Sequence, residues 1–140
     1  MRLVLDTNVV VAAMRSPSGA SAEILRAARR AEVVLLANVA LALEYEAVCR
    51  RPEHRLAAGL EAREVDVFLD AVIAMMEPVE THFMWRPQLR DPADEFVLDA
   101  AVNGRAAAIV TFNRRDFGRA PARFGFEALN PAETIWRIRQ

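Results

Sequence analysis

The sequence predicts an α/β protein, a three-layer αβα arrangement around a central parallel β-sheet. Short runs of apolar residues alternate with longer stretches whose apolar residues recur at helical spacing. Runs such as Val33-Val34-Leu35-Leu36 are apolar at every position, as expected of strands covered on both faces. The chain has 140 residues, enough for one domain and its core, so a single domain over 1–140 is expected.

The elements follow in order. Residues 2–5 form an apolar strand ending at Asp6, and a helix over 8–14 runs up to the breaker Ser16-Pro17-Ser18-Gly19. Ser21 is placed to cap a helix over 21–31, with Glu23 in its first turn. A second buried strand spans 33–36. Asn38 then caps a helix that reaches Arg50 and stops at Arg51-Pro52. Residues 61–76 carry Val65, Phe68, Leu69, Val72, Ile73 and Met76 on one helical face. A third strand is expected over 78–83, on a sheet edge because Pro78 has no amide to donate. Asp91-Pro92 opens a helix that extends to Asn103-Gly104, where glycine suits the C-terminal cap. Strands over 107–111 and 126–129 and a helix beginning at Pro131 complete the pattern. No internal repeat, low-complexity segment or linker interrupts it.

Hydrophobic residues make up 54% of the chain and charged residues 26%, the balance of a folded globular protein. No apolar run approaches the roughly 20 residues that span a bilayer, so a cytoplasmic protein without membrane association is expected. The single cysteine, Cys49, has no thiol partner and reads as a small core hydrophobe. All 18 basic residues are arginine, which excludes any mechanism built on a catalytic or phosphate-binding lysine. Arginine suits bidentate phosphate recognition, so nucleic acid remains open as a partner at a net charge of −1. Codon bias in a GC-rich genome accounts for the same composition and, taken alone, is the favoured reading.

In an open parallel sheet, ligands bind beyond the carboxyl ends of the strands, where strand order reverses. The first strand delivers Asp6-Thr7-Asn8 to that edge, and the fourth delivers Thr111-Phe112-Asn113, followed by Asp116. Each acid also has a purely structural reading. Asp6 can cap a helix, Asp91-Pro92-Ala93-Asp94 has the form of a helix start, and Glu44 and Glu46 can be solvated helix residues. Yet Glu44 is flanked by Leu43 and Tyr45, on a face that is not obviously wet. Carboxylates gathered in one cleft repel unless a cation neutralises them. An all-oxygen donor set selects Mg²⁺ or Mn²⁺ over zinc, and His54 and His82 stand isolated, without ligand spacing.

The blocks Leu3-Val4-Leu5-Asp6-Thr7-Asn8-Val9, Glu44-Tyr45, Arg50-Arg51-Pro52, Asp91-Pro92-Ala93-Asp94, Val110-Thr111-Phe112-Asn113-Arg114-Arg115-Asp116-Phe117 and Asn130-Pro131-Ala132-Glu133 resemble, in order and spacing, the successive blocks of PIN domains. The resemblance covers nearly the whole chain and is nearest to the branch grouped with toxins of toxin–antitoxin systems, related to VapC-type toxins. It implies a PIN-like αβα fold and a Mg²⁺- or Mn²⁺-dependent endoribonuclease. RNA would be its substrate, an antitoxin protein its partner and a homodimer its state.

By the same resemblance, Asp6, Glu44 and Asp94 correspond to the three metal-binding acids and Asn8 to a polar neighbour of the first. Thr111 is a supporting polar residue. Where an aspartate often follows that threonine, this chain has Asn113, so Asp116, three residues on, is the candidate fourth acid. Asp91 and Glu95 are substitutes for Asp94. Arg114, Arg115 and Arg119 are candidates for contact with the RNA backbone.

Two rivals also gather acids at such a sheet edge. The absence of lysine argues against a phosphoryl-receiver domain, and Asn8 argues against a D-x-D phosphatase. A catalytically degenerate PIN domain that only binds protein or RNA ranks below the nuclease, because all three core acids are present.

Overall fold

The computed structural model describes residues 1–84 and 89–140. Five strands, β1 (Arg2–Leu5), β2 (Val34–Ala37), β3 (Met76–Pro78), β4 (Ala108–Val110) and β5 (Glu127–Leu129), form an all-parallel sheet in the order β3-β2-β1-β4-β5. The helices are α1 (Thr7–Arg15), α2 (Ala20–Arg29), α3 (Val39–Cys49), α4 (Pro52–Ala58), α5 (Ala62–Ala74), α6 (Pro92–Asn103), α7 (Ala120–Phe124) and α8 (Pro131–Ile138). The expected α/β class and parallel sheet are therefore present. No helix among the described residues is long and apolar enough to cross a membrane.

The central strands are short and wholly apolar on their buried residues because helices cover both faces. Leu3, Val4, Leu35, Leu36, Ala108, Ile109 and Val110 are all at most 1% exposed. Chain order runs outward from β1 through β2 to β3, then jumps back across β1 to β4 and β5. The order therefore reverses between β1 and β4, and their register pairs Leu5 with Val110. Asp6 and Thr111, the next residue of each strand, thus leave the sheet side by side at its carboxyl edge. The Asp6 amide donates to the Val110 carbonyl at 2.9 Å.

Several boundaries depart from expectation. α2 begins at Ala20 with Gly19 as its cap residue, and Ser21 is buried in its first turn instead of capping it. Arg51-Pro52 ends α3 but also opens α4, because proline fits the first helical position, where no amide donor is needed. The third strand occupies Met76–Pro78, not residues 78–83. Its final proline pairs opposite Ala37 on the sheet edge, while the Asn103 side chain accepts the backbone N–H groups of His82 and Phe83 and holds them off the sheet. Gly104 ends α6 in a right-handed conformation, so its need is space. A Cβ there would meet the Ala100 carbonyl oxygen at 2.7 Å and Val79 Cγ2 at 2.9 Å. The chain between β4 and β5 forms a 3₁₀ turn over Arg114–Phe117 and the short α7. Cys49 is fully buried, as expected, and burial pushes its thiol up to about 11, which makes it inert.

Candidate active site

At the β1/β4 switch point, Asp6 has two structural partners of its own. It caps α1, its Oδ1 accepting the Thr7 N–H at 2.8 Å. Its Oδ2 accepts the Thr111 hydroxyl at 2.7 Å, and Thr111 Oγ1 in turn accepts the Asn113 N–H at 3.0 Å. Both oxygens of a buried carboxylate are thereby fixed in orientation. Thr111 itself is completely buried.

Glu44 reaches the same place from α3, which Asn38 caps by accepting the Leu41 N–H at 2.8 Å. Thr7 donates its hydroxyl to Glu44 Oε1, and the next residue, fully buried Tyr45, donates its hydroxyl to the Leu5 carbonyl. Two consecutive residues of α3 are in this way tied to the end of β1, one through a carboxylate and one through a phenol. The Asn38 side-chain amide also donates to the Phe96 carbonyl at 3.0 Å, which docks the start of α3 on α6.

Asp94 comes from the first turn of α6, whose cap is Asp91, accepting the Ala93 N–H at 2.9 Å. The predicted Asp-Pro helix start is therefore real, and it is compatible with a site: Asp91 caps, while Asp94 faces the cleft. Asp6, Asn8, Glu44, Asp91, Asp94, Asn113 and Asp116 all line one cleft of about 790 Å³. The structure thus brings the predicted acids together. Glu95 does not line this cleft; it is buried and accepts the Leu89 N–H at 2.7 Å. Asn113 precedes the 3₁₀ turn without a side-chain cap bond.

The electrostatics fit unneutralised acids. Burial pushes Asp94 up to about 7, with further upward pressure from Asp6, Asp91, Asp116 and Glu44. Burial likewise raises Asp6, opposed by its hydrogen bonds from Thr111 and Thr7 and reinforced by the charges of Glu44 and Asp116. Among the described residues, no three histidine, cysteine or carboxylate side chains are gathered closely enough to hold one ion as they stand. The acids gathered in the cleft offer only oxygen donors, and the buried side-chain carbonyl oxygen of Asn8 has no hydrogen-bond partner among the described residues. An electropositive ligand would satisfy that atom and offset the carboxylate repulsion, and a hard cation is the kind that oxygen donors suit.

The cleft also holds groups to which the sequence assigned no role there, including His54, which reads as isolated in the sequence. Arg15 from α1, Arg51 from the α3–α4 junction and His54 from α4 line its other side, and the Arg15 guanidinium lies 3.4 Å from His54 Nδ1. The only signal was Arg51 in the Arg50-Arg51-Pro52 block; Arg15 and His54 sit in unremarkable helix sequence. Of the three arginines proposed for RNA contact, Arg114 pairs with Glu133 at 3.2 Å, Arg115 lines an adjoining recess, and Arg119 lines neither space.

A family model described as "PIN domain" matches residues 2–115. A chain in the crystal structure of VapBC2 from Rickettsia felis, bound to a DNA fragment from their promoter, superposes with a TM-score of 0.63 at 16% identity. The superposition covers 93% of this chain and 98% of that one. No curated protein matches the sequence.

Proposed function

The chain belongs to the PIN-domain family, and from that premise we propose that it is a metal-dependent endoribonuclease acting as the toxin of a toxin–antitoxin pair. The observation that carries the reading is the convergence of Asp6, Glu44, Asp94 and Asp116 on one cleft at the switch point of the sheet, with Asp94 pushed up to about 7 by burial and then by its carboxylate neighbours. Asp6, Glu44 and Asp94 would hold the cation, with Asp116 as the fourth acid and the Asn8 carbonyl as a neutral donor. A bound Mg²⁺ or Mn²⁺ supplies a Lewis acid that acidifies water and offsets charge on the phosphodiester.

The protein's own groups do the positioning. Thr111 and the Thr7 amide fix the plane of the Asp6 carboxylate, and the Thr7 hydroxyl fixes Glu44. Asp94, pushed up to about 7, would have to give up its proton to hold a cation. No lysine and no covalent nucleophile is required. Attack by water on phosphorus with the 3′ oxygen as the leaving group, which takes up the proton, would leave a 5′-phosphate and a 3′-hydroxyl.

The test incubates the purified protein with total RNA and single-stranded oligonucleotides, with and without Mg²⁺ or Mn²⁺, and maps the ends. Cleavage that depends on the cation supports the reading. RNA bound but left uncut under every condition would favour a degenerate binding domain instead.

The antitoxin partner draws on the VapBC2 likeness, and is tested by whether a small protein encoded next door suppresses cleavage. A homodimer is proposed from exposed Val67 and Ala71 on α5, away from its buried face. Sedimentation giving only a 15.6 kDa species at micromolar concentration would overturn it.

A further inference from the structure

The acids of the cleft are shared between two recesses. The main one carries Arg15 and Arg51 on its wall. A second, polar recess of about 510 Å³ adjoins it, carries Arg90 and Arg115, and shares Asp91, Asp94 and Asp116 with the first. Negative charge therefore lies in the middle, with a pair of arginines on either side.

The arginines that line the two recesses are free of carboxylate partners among the described residues. In Arg50-Arg51, Arg50 is paired with Glu46 at 3.2 Å and Asp66 at 3.0 Å, while Arg51 has no carboxylate partner among the described residues. In Arg114-Arg115, Arg114 is paired with Glu133, while Arg115 faces the second recess with no such partner among the described residues. Among the described residues, Arg15 meets the His54 ring and makes no ion pair, and Arg90 makes none either. Guanidinium groups elsewhere, such as Arg26, Arg30, Arg137 and Arg139, are held by glutamates. Arg29, Arg55, Arg63, Arg105 and Arg119 also lack a carboxylate partner among the described residues, but none of them lines either recess, whereas Arg15, Arg51, Arg90 and Arg115 are without one and lie beside the acids.

We propose that the two recesses form one continuous groove for a single-stranded RNA backbone, gripped at one end by Arg15 and Arg51 and at the other by Arg90 and Arg115. The substrate class rests on the nuclease reading above. Carboxylates repel phosphate, so a chain crossing them is held by cations on both sides, and one phosphate between the grips is left over the acids. A single strand bends to follow such a path. A duplex, with a persistence length of about 50 nm, does not. Because the chain enters by one recess and leaves by the other, the site acts within a strand and needs no free end.

The test reads binding without any divalent cation. Anisotropy of a labelled single-stranded RNA of about 20 nucleotides, longer than common site sizes of roughly 4–16, is followed in chelator over a range of salt. The proteins are wild type, Arg15→Gln/Arg51→Gln, Arg90→Gln/Arg115→Gln and the control Arg29→Gln, whose arginine ends α2 at the opposite edge of the sheet. Each double variant is expected to weaken binding at least about fivefold and to lower the salt slope by roughly 1 to 1.5, as for two lost phosphate contacts. Arg29→Gln should bind like wild type, and a duplex of equal length more weakly.

Equal binding by all variants, loss from one end only, or tighter binding of duplex would overturn the groove. The two readings fail separately. Cation-dependent cleavage with no effect of the arginines removes the groove and keeps the nuclease. Arginine-dependent binding with no cleavage does the reverse.

Discussion

The Thr111 hydroxyl donates to Asp6 Oδ2 at 2.7 Å while accepting the Asn113 amide at 3.0 Å, so one buried side chain aims the first acid of the site and anchors the loop that carries Asp116. Thr111→Val keeps the shape and removes both bonds. Urea unfolding should show a loss of about 1–2 kcal/mol, the usual cost of a buried polar group left without its partner. Cleavage should fall with it, and Thr111→Ser should restore both. A Thr111→Val protein as stable as wild type would make the bond incidental.

Asp6→Asn should abolish cleavage and leave the fold intact. Asparagine caps a helix about as well as aspartate and can still accept the Thr7 N–H, while the charge that would bind a cation is lost. Relief of the buried charge and of the carboxylate repulsion offsets the Thr111 hydroxyl bond that Oδ2 no longer accepts, so thermal melts in chelator should show no large loss of stability. A large drop in melting temperature would mean that Asp6 is there for the fold.

The pH dependence has a definite sign. Asp94 is held at about 7 in the folded protein against roughly 4 when unfolded. Between those values the folded state binds more protons than the unfolded one, so metal-free stability falls as pH rises through that window. The melting temperature in chelator should be higher at pH 5 than at pH 8, and Asp94→Asn should flatten the difference. Mn²⁺ affinity should run the other way, rising up to about pH 7, with protons released on binding at pH 6. A Mn²⁺ affinity independent of pH between 5 and 8 would contradict the placement of Asp94 in the site.

Asp116 and Asn113 both line the cleft, but only Asp116 contributes to the upward pressure on Asp6 and Asp94. Calorimetric titration should show Asp116→Ala weakening Mn²⁺ binding more than Asn113→Ala. Because the Asn113 side chain makes no cap bond, its removal should cost well under the roughly 1 kcal/mol of a lost cap. The reverse ranking of affinities would give the fourth position to Asn113.

The sheet was legible in the sequence because its central strands are apolar at every buried position, and Asp6 and Thr111 were legible because they directly follow two of those strands. Asn38 and Asp91 announced their helices by local capping chemistry, which survives in isolation from the fold. What was hidden depends on contacts distant in sequence. The bond from Thr7 to Glu44 joins residues 37 apart, and Arg15, Arg51 and His54 meet the acids only once α1 and α4 are packed. The third strand was misplaced because Asn103, some 20 residues further on, decides where the chain leaves the sheet.

The central claim, that these carboxylates cut RNA through a divalent cation, is tested most directly by the chemistry of the ends produced. Single-stranded RNA is incubated with wild type and Asp6→Asn, each with Mn²⁺ and with chelator, and the termini are identified by mass spectrometry. Internal cuts bearing 5′-phosphate and 3′-hydroxyl ends, made only by wild type with Mn²⁺, are the predicted result. Cleavage that persists in chelator, survives Asp6→Asn, or leaves 2′,3′-cyclic phosphates would contradict it.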